Sequence, residues 1–573
     1  MASNGVYGPY LRFGSCDASK WTGSIMIARS CEYFDVPQAC LSSPSFKTTK
    51  IQGFEVASHG GYCFWRFNVE IQLTNDQQEV QYSIKAKQDA VLSTGHSFFV
   101  PGIGQMFHWA AQSCSGFSST IDPADWGGVG PLWKDILSKH EVNPFHAMVG
   151  GGDQIYCDSV FKVPILEEWL EKVDAGEKPD ESGFFSTEMD KAATDHLVNL
   201  YLNHFASDGL SGALARIPHI MIWDDHDIFD GWGSYPEYLQ LCSVFQGVYV
   251  VLRTFYLLFQ HHCTYEMTQS QDSELFGPGS SFSYLRYFGP KVALVGVDIR
   301  AERTKEQVMS EEAWELLFEK MEEIPDTVDH MVMVLTVPLI YPKVPLSETI
   351  MRTLGTVNRW SLIHQILYKS GASKSLLKFN EPELLDDLWD HFKSVGHEDD
   401  RRRFVLRLQE FVKEKTIRAS FVCGDVHTCG VGRFFTRPLV DVQYDPRLMM
   451  QIITSGIVNA PAPLSIIRLM HMFDTDVNEV DWRTREQMIP LFSDYKLNKV
   501  MGRRNWCEVE ATSNDDFKGA LKFTLWTENP KRIGKDLKPY AVIVPKLLPG
   551  HVEPPEEEVL VRLHHHWSGG PWD

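Results

Sequence analysis

Positive charge is what this sequence is short of. Against 75 Asp and Glu it carries 54 Lys and Arg, a formal net charge of −21. Such a chain is not built to hold nucleic acid as a main partner, because affinity for phosphate backbones rests on Lys and Arg. A small phosphorylated substrate stays allowed, since metal ions in an acidic site supply local positive charge. No two cysteines are spaced CxxC, and the 11 Cys are odd in number and scattered. That excludes an obvious disulfide framework and leads us to expect a reduced, cytoplasmic protein. The opening MASNGVYGPYLRFG has no basic segment followed by an apolar one, so no secretory signal is read. No GxxxxGK followed by Ser or Thr occurs, which argues against a nucleotide-binding loop. Low-complexity tracts and solenoid-length repeats are also missing. One run, Tyr238 to Cys263, is apolar enough to raise a membrane question, but Gln240, Gln246, Arg253 and Gln260 interrupt it. A charge inside a span is expensive, so a buried helix is expected there and no transmembrane segment. Peripheral membrane contact is left open.

What is present is an ordinary globular composition, 43% hydrophobic and 23% charged, with 16 Trp and 34 Phe to fill a large core. Residues 1–98 read as a β-rich domain, with alternating aromatic runs at 61–73 and 79–86. From 99 to 480 short apolar runs alternate with helical-period segments, which predicts an α/β core. The runs are at 145–151, 217–223, 291–297, 330–337, 419–424 and 450–456. Each is aliphatic and nearly unbroken, as strands buried on both faces are. Helices are expected at 310–323 and 381–395, the second with Pro382 in its first turn behind Asn380 or Glu381. The charged HEDDRRRF at 397–404 reads as a solvated surface turn. Residues 481–573 return to β-like text that completes or flanks the core, ending in a tail that contains HHHW at 564–567.

In open α/β sheets, ligands gather at the carboxyl ends of the strands. Three of the six runs end in acidic text. The first gives Asp153, Tyr156 and Asp158. The second gives Asp224, Asp225, His226, Asp227 and Asp230. The third gives Asp425 and His427. One Asp after one strand is ordinarily a helix N-cap. Four acids in seven residues repel one another unless cations are bound or protons retained. Hard oxygen ligands with an imidazole suit Mg, Mn, Ca, Fe or Zn, and several strand ends suggest two or more ions. Adjacent metals serve phosphoryl displacement.

The blocks GGDQIYCD at 151–158, WDDHDIFDGWGSYP at 223–236 and CGDVHTCGVGRF at 423–434 resemble the signatures of the PhoD-like alkaline phosphatases, within the calcineurin-like metallophosphoesterases. AQSCSGFS at 111–118 and VDIRAER at 297–303 resemble further segments, and the surrounding text looks most like the eukaryotic branch. The resemblance implies a four-layer α/β/β/α metallophosphoesterase core with an N-terminal all-β domain. It implies a hydrolase of phosphoric esters that uses a metal-activated hydroxide, with Fe plus Ca as cofactors and Mn, Mg or Zn as alternatives. Carried over by motif, Cys114, Asp153 and Tyr156 would hold iron. Asp153 would bridge to further ions, Asp225 and Asp230 would serve those ions, and Asp425 with His427 would form the last block. Where the bacterial acidic block ends in Asn, this chain has Asp230 followed by Gly231, so the metal preference is open.

His226 is the candidate general acid for the leaving alkoxide, with metal ligation as its alternative. Arg300 and Arg303 are candidate phosphate contacts, with ion pairs to Asp298 or Glu302 as the competing reading. Two functions outside the monoesterase reading remain: a phospholipase-like phosphodiesterase, and an inactive scaffold that binds metal or phosphate.

Overall fold

The computed structural model describes residues 5–86, 90–271, 273–342, 396–473, 477–512 and 517–550. The expected helix at 381–395 and the histidine-rich tail lie outside them. Two large sheets organise the chain. The first has ten strands, and four of them matter most here: β1 (Val6–Cys16), β2 (Trp109–Gln112), β3 (Ala147–Gly151) and β4 (His219–Ile222). The second has nine, including β5 (Val292–Gly296), β6 (His330–Leu335), β7 (Arg418–Cys423) and β8 (Met449–Thr454). Strands β2, β3 and β4 run parallel to one another, as do β5, β6, β7 and β8. All six apolar runs are therefore strands, and every residue of each is buried.

Strand alternation assigns the two faces of the second sheet. Leu294, Val332, Val334, Val422 and Ile452 join the core shared with the first sheet, alongside Ala110, Met148 and Ile220. Their neighbours Val295, Met333 and Phe421 face a second core. Against that face pack α2 (Glu311–Glu322) and α3 (Glu398–Lys415), through Trp314, Phe318, Phe404 and Phe411. The apolar run near 238–263 becomes α1 (Ser243–His261), most of it buried. Among the described residues, no helix is long and apolar enough to cross a membrane.

Several expectations change on contact with the structure. The first 98 residues are all strand and turn among the described residues, but β1 pairs in parallel with β4 through Arg12 and His219, so the ten-stranded sheet crosses the expected boundary. A separate four-stranded sheet holds Gln38–Ser43, Phe46–Gln52, Gln78–Lys85 and Val91–Val100. At the other end, the strand Asn505–Ala511 pairs with β2, and Leu521–Thr527 and Lys538–Val544 extend the same sheet. The charge cluster at 397–404 is no surface turn; it opens α3. Glu398, Asp399 and Asp400 fall in its first turn, where carboxylates favour the positive end of the helix dipole. Arg401 is buried, pairs with Glu486 and donates to the Leu339 carbonyl at 2.7 Å. Cys31 and Cys63 form a disulfide, against the expectation of a fully reduced set; the other nine cysteines are free.

Candidate active site

The carboxyl ends of β2, β3, β4, β6, β7 and β8 meet where the two sheets face each other. After β2, Cys114 turns back: its N–H bonds to the Gly152 carbonyl at 3.1 Å, and Ser115 N–H to the Asp153 carbonyl at 2.8 Å. After β3 the chain runs through Gly152 and Asp153, both at positive φ. Gly152 is required there. A Cβ on it would lie 2.7 Å from Asp224 Cβ and 3.0 Å from Thr336 Cβ. After β7, Gly424 N–H donates to the Thr336 carbonyl at 2.7 Å, and a Cβ there would lie 2.4 Å from the Gly151 carbonyl oxygen. Close approach of bare backbone from opposite sheets is what brings the acidic blocks together.

Seven non-glycine residues among those described sit at positive φ, and Cys114, Asp153, Asp425 and His427 are four of them. Outliers of this kind gather at functional sites, held by surrounding structure. Here the hold is visible. His427 N–H donates to the Asp425 carbonyl at 2.8 Å and to Ser455 Oγ at 2.9 Å. Cys114 Sγ lies 3.4 Å from Asp153 Oδ2 and 3.1 Å from Ser455 Oγ.

The acids after β4 divide by role. Asp224 and Asp227 form a capping box on the short turn Asp225–Ile228. Asp227 also accepts from Gln154 N–H at 3.1 Å and Gln260 Nε2 at 2.8 Å. Burial pushes its pKa up to about 7. Asp224 accepts from Thr336 Oγ1 at 2.7 Å and pairs with Arg300. The N-cap reading thus holds for two of the four. Asp225 and Asp230 are left for other work: Asp225 Oδ2 accepts from Gly231 N–H at 2.9 Å, and Asp230 N–H donates to Asp158 Oδ1 at 2.8 Å.

Ligand-type atoms come together in overlapping groups, within 4.8 Å of one another in each. One group is Cys114, Asp153 and His427; another is Asp153, Asp224, Asp225 and Asp425; a third is Asp225, His226 and Asp230. Asp153 belongs to the first two and Asp225 to the last two, so neighbouring cations would share them. Tyr156 joins the first group through its hydroxyl, 3.2 Å from His427 Nε2. Asp153 is 1% exposed, and its Oδ1 has no hydrogen-bond partner. Buried polar atoms are nearly always paired, and a lone carboxylate oxygen among other carboxylates is one a cation would satisfy. The donor set fits: carboxylates for hard ions, with a thiol, a phenol and an imidazole at one end for a softer one.

Protonation follows from that crowding. Burial, then the Asp225 charge, raises the Asp153 pKa well above the carboxylate range. Burial, then Asp153, lifts the Cys114 thiol. Burial, then Cys114 and Asp153, lifts the Tyr156 phenol. Burial and the nearby His226 push His427 down to about 3. Burial alone would also strip His226, but the carboxylates of Asp158, Asp225 and Asp230 raise its pKa well above the ordinary value. His226 Nδ1 lies 2.9 Å from Asp158 Oδ2, and its ring packs on Tyr156 with centroids 4.2 Å apart. Nε2 is the nitrogen left to act.

Arg300 and Arg303 are both buried. Arg300 is fully buried behind the acidic block. It pairs with Asp224, donates to the Trp232 carbonyl at 3.2 Å and lies 3.5 Å from Asp225. Asp298 accepts from Trp223 Nε1 at 2.9 Å and from the Arg300 and Ala301 N–H groups at 3.0 Å. Arg303 is buried against Gly233, with Nη2 3.4 Å from His397 Nδ1. The structure adds Asn459, which the sequence reading missed. Its Nδ2 donates to Tyr156 Oη and Ser118 Oγ, each at 2.8 Å. Asn459 follows the run that becomes β8, so the strand-end rule, applied to uncharged polar residues, would have found it. A further group, His108, Glu508 and Glu510, is made of paired residues: His108 with Glu508 at 2.8 Å, Glu510 with Lys522 at 2.9 Å.

A buried acidic metal-ligand cluster at the strand ends of a mixed α/β fold defines a class of candidate metallohydrolases. The chain belongs to the PhoD related phosphatase family, whose model matches residues 72–361 and 357–539. Among curated proteins it is similar to the uncharacterized protein YGR266W of Saccharomyces cerevisiae, 29% identical, with 89% of this chain and 81% of that one covered. Among solved structures it is similar to one described as the structure of PhoD, at 12% identity and a TM-score of 0.49, covering 98% of this chain and 97% of the other.

Proposed function

We propose that this protein hydrolyses phosphoric esters with two or more metal ions held by Cys114, Asp153, Tyr156, Asp225, Asp230, Asp425 and His427. Monoesters are the first choice of substrate. The observation that carries the reading is the convergence of buried carboxylates from three strand ends, with Asp153 Oδ1 unpartnered among them. Membership of a phosphatase family supports it, and the two facing sheets are consistent with the four-layer core of metallophosphoesterases. Cations bound there supply positive charge for the phosphoryl oxygens and acidify water.

The chain's own residues have distinct tasks. Asp224 and Asp227 fix the turn that presents Asp225. Asp158 holds the His226 ring through Nδ1, so Nε2–H points its proton at the leaving oxygen. Asn459 orients Tyr156 by donating to its hydroxyl. The barrier-lowering role of His226 scales with how poor the leaving group is.

The test uses protein purified without chelators, with elemental analysis of bound metal and assays on an aryl phosphomonoester and its matching diester. Near-stoichiometric metal and turnover, both lost in Asp153→Ala, are expected. His226→Ala should retain metal and lose about 100-fold or more on alkyl esters, and less on activated aryl esters. Loss of metal in His226→Ala makes it a ligand instead. Protein that stays inactive after loading with Fe, Ca, Mn, Mg or Zn overturns the enzyme reading in favour of a scaffold. A diester preference turns it toward a phosphodiesterase.

A further inference from the structure

A second cavity uses none of the residues of the acidic cluster, and its charge is of the opposite sign. It encloses about 340 Å³, within the usual range of about 300–1,000 Å³ for small-ligand sites. Arg12 on β1 and Arg66 on the strand Tyr62–Gln72 line it, with His261 at the end of α1 and Thr268, Ser270 and Glu274 from the chain that follows. Arg286, on the strand Tyr284–Tyr287, supports it from behind.

Three guanidinium groups here answer to one carboxylate among the described residues. Glu274 Oε2 accepts from Arg12 Nη2 at 2.7 Å and Arg286 Nη2 at 3.2 Å. Arg66 is tied elsewhere, donating to Asn68 Oδ1 at 2.8 Å and the His262 carbonyl at 2.9 Å. Arg12 is 3% exposed and Arg286 5%, yet neither Nε has a hydrogen-bond partner. Nδ1 of His261, 1% exposed, has none either. A neutral His261 ring accepting from the Tyr256 hydroxyl at Nε2, 2.8 Å away, carries its proton at Nδ1 and is a donor. Burial, then the charge of Arg12, pulls the Arg66 pKa down to about 10. A buried charge without a matching partner is costly. In a chain of net charge −21, a cavity with two surplus positive charges marks a place for an anion.

We propose that this cavity binds a small oxyanion of the phosphate class. A dianion balances the surplus, and guanidinium N–H groups match phosphoryl oxygens. The site stands whether or not the acidic cluster is catalytic. Free inorganic phosphate and the phosphate head of a lipid share this chemistry, and the test separates them.

Calorimetry on the full metal-loaded protein would measure inorganic phosphate and sulfate, with sedimentation on phosphatidic acid vesicles as the second arm. Arg66→Gln and Ser270→Glu, at a half-buried and an exposed position, should each weaken binding at least tenfold. Glu274→Gln should tighten it severalfold. Phosphate held at the acidic cluster reads out separately as product inhibition, which these variants leave unchanged. If only vesicles bind, and Ser270→Glu abolishes that binding, the occupant is a lipid head. If phosphate, sulfate and vesicle binding are the same in all four proteins, the proposal fails.

Discussion

Replacing Asp153 by Asn should move stability in opposite directions with and without metal. In the metal-free protein, Asp153, Asp224, Asp225 and Asp425 bring carboxylate oxygens within 4.8 Å of one another. At an effective dielectric of about 20, two full charges at that distance repel by roughly 3.5 kcal/mol. The site already escapes part of this, because burial and Asp225 hold a proton on Asp153. Arg300 answers Asp224. Asn removes both the remaining charge and the cost of holding that proton, so a relief of about 2 kcal/mol is expected. Unfolding entropy of about 2.1 cal/mol/K per residue, over 573 residues, gives roughly 1.2 kcal/mol/K, so Tm rises by about 2 °C in chelator. With metal at 100 times its Kd, the wild type gains about 2.7 kcal/mol. The variant forfeits most of that, so the order of the two Tm values reverses on metal addition. Scanning calorimetry in both conditions reads this. A variant that is less stable than wild type in chelator and in metal alike would refute the account of Asp153 as one of several crowded ligands.

Arg300→Met removes the charge paired with buried Asp224 and should cost about 3–5 kcal/mol in denaturant unfolding; a loss under 1 kcal/mol would mean that the other bonds to Asp224, those from Thr336 and the capped turn among them, hold it without Arg300. Gly152→Ala puts a methyl group against Asp224 and Thr336 at a positive φ and should destabilise by about 2–4 kcal/mol with loss of bound metal; unchanged metal content would show that the two strand ends can part without consequence. Acid should weaken the fold through its buried neutral histidines. Burial holds His140 and His146 near about 3 and His330 near about 4. Phe145 N–H points at His140 Nδ1 and His108 N–H at His146 Nδ1, each at 3.0 Å, so neither nitrogen can take a proton in place. Folded pKa values below the unfolded value of about 6.5 mean that this stability is complete above that pH and is lost as pH falls toward 4. Each histidine contributes about 1.4 kcal/mol per pH unit in that window; Tm that stays flat between pH 7 and 5 would contradict it, and His330→Gln should shallow the slope.

How much of this was legible in the sequence depended on whether the signal was local. The six central strands were, because runs buried on both faces are mostly aliphatic, with few polar interruptions. The pairing of β1 with β4 was not, since nothing in Val6–Cys16 states its partner. Cys31 and Cys63 were unreadable as a pair for the same reason: they meet because Lys20–Ser30 pairs antiparallel with Tyr62–Gln72. HEDDRRRF misled because charge density hid a helical stripe that begins only at Phe404. Arg300 and Arg303 follow a strand, but sequence does not say that both side chains are buried.

The four acids after β4 show why composition alone overstates a metal site. Two of them, Asp224 and Asp227, already answer backbone N–H groups, Thr336 and Gln260. These bonds cap a turn of only four residues, Asp225–Ile228, too short to hold itself in place by its own hydrogen bonds. With that turn fixed, Asp225 cannot swing away from Asp153 to relieve repulsion, and His226 cannot leave Asp158. The neighbouring strand ends add the same restraint, with Gly152 and Gly424 admitting the opposite backbone too closely for retreat. Carboxylates that cannot separate have two remedies, protons or cations. A chain that fixes them this firmly, in a core where a flexible acidic turn would have been less costly, has built a site whose resting state is incomplete without positive charge.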